Sequence, residues 1–113
     1  MTNKKLVGNQ GEDIALRFLE AKGYILIKKN LHLKLGEIDL LMRDKDTLVL
    51  VEVKTKTDAS FGRASDMITL RKQKKLIQLA NCLWQKFPHK NIRIDVIAID
   101  NNKIDHLVSA VEE

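Results

Sequence analysis

Two short runs in this 113-residue chain place ionisable side chains where apolar ones would be expected. The first is Gly36-Glu37-Ile38-Asp39-Leu40, and the second is Leu48-Val49-Leu50-Val51-Glu52-Val53-Lys54. An unbroken apolar run of this length reads as a strand covered on both faces. Side chains alternate faces along a strand, so Glu52 and Lys54 point the same way. A charged group in such a setting needs a partner, a metal or a function, because leaving it dry and unpaired is very unfavourable.

The two runs are joined by Asp44-Lys45-Asp46, residues suited to a tight turn, which predicts a hairpin of strands 38–43 and 47–55. In that hairpin the start of the first strand lies opposite the end of the second. Asp39 is therefore expected near Glu52 and Lys54, within the register tolerance of a hairpin. A first helix is predicted over 8–22, closed by Gly23, with Ile14, Ala15, Leu16, Phe18, Leu19 and Ala21 on its apolar arc. Asp13, Arg17 and Glu20 fall on the opposite side, but Glu12 falls inside the arc, between Leu16 and Leu19. A first-turn Glu favoured by the helix dipole is the plain alternative for that position. Residues 24–28 read as a short strand, and Leu31-His32-Leu33-Lys34-Leu35 as an edge segment or a loop.

A second helix is predicted over 69–87, with Thr69 as N-cap and Pro88 beyond its end. Its stripe is Leu76, Ile77, Leu79, Ala80, Leu83, Trp84 and Phe87, which assigns Trp84 to core packing. Lys72 and Gln73 flank the stripe and lean toward whatever the helix covers. Residues 92–99 form a further strand, turned through Asn101-Asn102 into an edge strand over 103–108. Arg93 and Asp95 share a face of that strand and read as an ion pair, and His106 is assigned no role. The order α-β-β-β-α-β plus an edge strand makes an α/β fold, with a central mixed sheet flanked by helices.

Composition narrows the class. The length suits one domain spanning 1–113. One cysteine, Cys82, excludes an internal disulfide, and no apolar run reaches membrane-spanning length or resembles a signal core, so a cytoplasmic location is expected. The net charge is +5. More telling is its placement: Lys54, Lys56, Arg63, Arg71, Lys72, Lys74 and Lys75 follow the Glu-x-Lys strand against only Asp58 and Asp66. A solvated helix face accounts for any one of these, but the cluster suits a polyanion.

Hard divalent cations, Mg²⁺ or Mn²⁺, take carboxylate and carbonyl oxygens. Asp39 and Glu52 supply two carboxylates, and the Val53 carbonyl could supply a third ligand. Lys54 could orient a water or offset charge developing on phosphorus, and Glu12 could position that water or hold a second ion. Phosphodiester hydrolysis is the reaction that needs this set. Lys56, Arg63, Lys72, Gln73 and Lys75 are the candidate nucleic-acid contacts. The competing explanation is a buried Glu52–Lys54 or Asp39–Lys54 ion pair with no chemistry; Glu-x-Lys alone carries little weight.

The set Gly8-x-x-Gly11-Glu12, Gly23-Tyr24, Asn30, Gly36-Glu37-Ile38-Asp39-Leu40, Val51-Glu52-Val53-Lys54-Thr55, Phe61-Gly62, Lys72-Gln73 and Arg93-x-Asp95-Val96 resembles the YraN family of small bacterial proteins over nearly the whole chain. That family is similar to the PD-(D/E)XK nuclease superfamily, and in particular to archaeal Holliday junction resolvases. The resemblance implies a restriction-endonuclease-like core. It implies that Glu12, Asp39, Glu52 and Lys54 match the superfamily's catalytic positions, and that Lys72 or Gln73 matches an auxiliary position on the helix. It points to a Mg-dependent endonuclease acting on DNA, with branched or otherwise structured DNA as candidate substrate; cleaving a junction would require a homodimer. The alternative is a non-catalytic nucleic-acid-binding accessory protein on the same scaffold. Two departures stand out: Ile38 replaces the proline that precedes the catalytic Asp, and Lys56 replaces an arginine common in the family.

Overall fold

A computed structural model describes residues 4–56, 68–88, 91–100 and 103–111. In chain order these form α1 (Lys4–Ala21), β1 (Ile25–Leu33), β2 (Gly36–Asp44), β3 (Thr47–Lys56), α2 (Leu70–Lys86), β4 (Asn91–Asp100) and β5 (Lys103–Leu107). The strands make one mixed sheet in the order β1-β2-β3-β4-β5, consistent with a restriction-endonuclease-like core. Neighbours are antiparallel except β3 and β4, which run parallel and are joined through α2.

Each helix covers one face of the sheet, and strand alternation decides which residues each meets. Val49 and Val51 join Ala15 and Leu19 of α1, together with Leu40, Met42, Ile97 and Ile99. Leu50, between those valines, joins Leu76, Leu79 and Leu83 of α2, with Leu41 and Ile94. Each leucine of the α2 stripe is fully buried or nearly so and contributes about 2 kcal/mol. Burial on both faces explains why β3 reads as a continuous apolar run.

The helix ends follow their local chemistry. Gly23 has φ +96°, its N–H donates to the Glu20 carbonyl at 2.9 Å, and the Tyr24 N–H donates to the Leu19 carbonyl at 3.1 Å. That pair of bonds is a Schellman closure, which wants glycine at its left-handed position. At the other helix, the Thr69 hydroxyl accepts the Lys72 N–H at 3.1 Å, the capping arrangement expected of threonine.

Several sequence expectations shift. Helix α1 begins at Lys4 rather than Gly8, and residues 31–33 belong to β1 instead of a separate edge segment or loop. The hairpin turn tightens to Lys45 and Asp46 between paired Asp44 and Thr47, with Lys45 at φ +56°. Trp84 is 53% exposed and Ile14 and Phe87 are also exposed, so the apolar arcs of both helices are narrower than the sequence suggests. The Asn101-Asn102 turn lies outside the described residues. No helix among the described residues is long and apolar enough to cross a membrane.

Candidate active site

The β2–β3 pairing runs from Asp44 and Thr47 to Leu40 and Val51 and stops there, while β3 continues beside β4 to Lys56. At the point of parting, the Asp39 carboxylate takes over from the sheet: its Oδ2 accepts the Val53 N–H at 2.9 Å. Alternation also breaks here. Ile38 packs with the α2 core and Leu40 with the α1 core, although two residues apart they should share a face. Across on β1, the residue between the Leu40 and Ile38 partners is Asn30, at φ +53°. Asparagine is among the few residues that adopt this conformation readily. The kink turns Asp39 into the gap between β2 and β3.

Three acidic residues approach this gap from different elements. Glu52 of β3 is 7% exposed and points to the α2 face. Its ionic partner is Lys72, whose ammonium lies 3.2 Å from Oε1. Burial and then the neighbouring Asp39 charge push the Glu52 carboxyl up to about 7, and Lys72 opposes that rise. Asp39 is raised too, chiefly by burial; the Val53 N–H and Lys72 pull the other way.

Glu12 comes from α1. Its Oε1 is buried with no hydrogen-bond partner among the described residues. Burial and the Asp39 charge raise its carboxyl, against Asn30 and Lys29. Glycine at position 11 lets α1 come this close: a Cβ there would lie 2.5 Å from Thr55 Oγ1 on β3. Asp39 is thus the common neighbour, felt by Glu52 on one side of the sheet and Glu12 on the other.

The sequence reading placed Lys54 as the ammonium of this centre. Alternation does put it on the face of Glu52, but it forms no ion pair among the described residues, and Lys72 of α2 holds that place instead. Gln73 turns its amide to the Ile68 carbonyl at 3.2 Å and stays beside the start of α2. Lys75 lies over Gly36, at the head of β2, and with Arg71, Lys72, Lys74 and Gln78 lines an open basic cleft of about 540 Å³. Arg63 and the side chain of Lys56 lie outside the described set.

Asp39 and Glu52 fit a hard divalent cation: a half-buried and a buried carboxylate stand as neighbours, and the one ammonium paired here contacts Glu52. Among the described residues, however, no three or more His, Cys, Asp or Glu side chains close on one point to form a metal cage. Glu12 therefore stands as a separate third acid beside the pair.

A second polar cluster went almost unread in the sequence. Asp95 of β4 is fully buried, and it accepts from Arg93 Nε at 2.8 Å, Arg93 Nη2 at 3.1 Å and the Ser109 N–H at 3.1 Å. His106 Nε2 lies 2.7 Å from Oδ2, the oxygen that also accepts Arg93 Nη2. Arg93 also donates to Asp44 at 3.2 Å and to the Tyr24 hydroxyl at 2.6 Å. Lys22 Nζ reaches His106 Nδ1 at 2.9 Å. Lysine can only donate, so His106 accepts at Nδ1 and donates from Nε2 to Asp95. Although burial alone would raise it, these bonds hold the Asp95 carboxyl below its ordinary value. The expected Arg93–Asp95 ion pair is the centre of a network joining the α1–β1 connection, the end of β2, β4 and β5. The signal was present: an Asp inside the apolar run 94–99 calls for the same attention as a Glu inside 48–53.

Known proteins are similar to this chain over nearly its whole length. A UPF0102 protein of Herminiimonas arsenicoxydans is 45% identical over 112 residues, covering 98% of this chain and 90% of that one. A UPF0102 protein of Caldanaerobacter subterraneus subsp. tengcongensis is 38% identical over 117 residues, covering 96% of each. One from Vibrio cholerae is 37% identical over 118 residues, covering 98% and 96%. The profile of the uncharacterised protein family UPF0102 matches residues 11–99, which runs from the glycine that seats α1 to the last residue but one of β4. The chain belongs to the UPF0102 family, the group that its Gly-Glu-Ile-Asp and Glu-x-Lys motifs resemble under the name YraN.

Proposed function

We propose that this protein is a divalent-metal-dependent endonuclease that hydrolyses phosphodiester bonds in DNA, with branched or otherwise structured DNA as its substrate. One observation carries the reading: the buried Glu52 and half-buried Asp39 carboxyls are neighbours at the strand gap with their charges only partly offset. Perturbed carboxyls held against their solvation are a mark of working sites. Asp39 and Glu52 would hold Mg²⁺ or Mn²⁺, with the Val53 main chain alongside. The bound ion would supply Lewis acidity toward a phosphoryl oxygen and a more acidic water.

The rest falls to the chain. The Val53 N–H fixes the direction of the Asp39 carboxylate. Lys54, without an ionic partner among the described residues, is available to orient the attacking water and to offset charge building on phosphorus. Glu12, with one dry oxygen, is placed to take a proton from that water. The basic cleft on α2 holds the backbone of the strand being cut.

The test is cleavage of a panel of duplex, single-stranded and four-way-junction DNA with Mg²⁺ or Mn²⁺. Asp39→Ala should lower the rate about a hundredfold or more, the scale of losing one preorganised electrostatic contact. Cleavage of no substrate, or equal cleavage by Asp39→Ala, overturns the reading. A second reading, a non-catalytic accessory protein that binds nucleic acid, is favoured by the Lys72–Glu52 pair and by the absence of a three-donor cage among the described residues. It predicts salt-dependent binding without turnover, unchanged in Glu52→Gln.

A further inference from the structure

The start of α2 is built against its own electrostatics. Its first turn holds no acidic residue and carries Arg71 and Lys72, although the positive end of a helix dipole disfavours cations. The Lys72 backbone is fixed by the Thr69 cap, and its side chain is 42% exposed. Two destinations lie within its reach. One is the Glu52 carboxylate, where the ammonium now sits at 3.2 Å. The other is the basic cleft it shares with Arg71, Lys74 and Lys75.

We propose that Lys72 is an internal stand-in for a divalent cation: its ammonium occupies Glu52 in the metal-free chain and would be exchanged outward, into the basic cleft, on metal binding by Asp39 and Glu52. The inference rests on the metal-site reading above and adds a competitor to it. Lysine suits the part, being a compact point charge on a flexible stem. The lysine end of the pair is open to solvent and contacts one oxygen of the buried Glu52, so water can take the ammonium when it leaves. A single ammonium contacts one oxygen of Glu52, whereas a divalent ion serves both acids. Because coupling is reciprocal, a phosphate-bearing ligand that draws Lys72 into the cleft tightens metal binding, and metal binding delivers one more cation to the ligand.

The experiment is a calorimetric titration of Mn²⁺ into the full chain at pH 8 and fixed ionic strength, without nucleic acid. Three proteins are compared: wild type, Lys72→Gln and Arg71→Gln. Lys72→Gln should bind Mn²⁺ about fivefold more tightly than wild type, the scale of removing one competing ion pair whose lysine end is open to solvent. Arg71→Gln removes the same charge from the same helical turn without touching Glu52, and its affinity should stay within about twofold of wild type, the distant charge being screened. Equal affinity for wild type and Lys72→Gln, or the same gain in Arg71→Gln, overturns the stand-in role and leaves the metal site standing. No Mn²⁺ binding by any of the three overturns both.

Discussion

Two buried acids on neighbouring strands, Glu52 and Asp95, have opposite fates. Asp95 receives Arg93 twice, His106 and a backbone N–H, and its carboxyl is held low. Glu52 has Lys72 on one oxygen and a second acid beside it, and its carboxyl is pushed up to about 7. Burial is similar, so the partners decide. A carboxylate whose lone pairs are filled by the fold serves as a structural tie. One left short of partners keeps a demand that a ligand can meet. The same sheet thus carries a finished polar joint at one position and an unfinished one at another.

The sharpest way to break this comparison is to remove each acid. Asp95→Ala leaves Arg93 and His106 facing a dry gap and should lower unfolding free energy by about 3–5 kcal/mol, read from urea midpoints. A loss under 1 kcal/mol would show that the joint is ornamental. Glu52→Gln should behave in the opposite sense. The folded chain holds the Glu52 proton more tightly than the unfolded chain, from 4.5 up to about 7. Stability associated with that proton is therefore full below about pH 4.5 and lost as the pH rises through about 7, a swing of roughly 3 kcal/mol. Metal-free Glu52→Gln should flatten that decline and be the more stable protein at pH 8. A wild-type stability that stays level between pH 5 and 8 would count against the unfinished site.

Smaller effects refine the contrast. Gly11→Ala should cost about 1–3 kcal/mol through its clash with Thr55, with thermal melting as the readout. A neutral result would mean that α1 is not pressed onto β3 at the gap. Thr69→Ala should cost about 1 kcal/mol by uncapping α2, and circular dichroism during heating would register it.

Much of the fold was legible in the sequence because its signals are local. The Asp-Lys-Asp turn, Gly23 and Thr69 mark boundaries that the structure keeps. The apolar run around Glu52 announces a strand covered on both sides, and the hairpin logic brings Asp39 to Glu52. What stayed hidden depends on distance in the chain. Alternation places Lys54 on the face of Glu52, but nothing in the run says that Lys72, twenty residues later, will arrive first. Trp84 obeys helical periodicity and yet is half exposed, lining an open cleft with Asn91, Ile92 and Arg93 at the start of β4. The Asp95 joint draws on Lys22, Tyr24, Asp44, Arg93, His106 and Ser109, and spacing along the chain cannot reveal a cluster assembled from four separate segments.

One amide in the sheet answers to a side chain instead of a strand. Beyond Val51 the β2 backbone no longer pairs with β3, and the Val53 N–H is held by the Asp39 carboxylate alone on that side. Its exchange with deuterium should therefore report the state of Asp39: slow while the carboxylate is ionised, faster once a proton weakens the acceptor. A single resonance would let the chemistry of the gap be watched in solution, without substrate and without labelling any other residue.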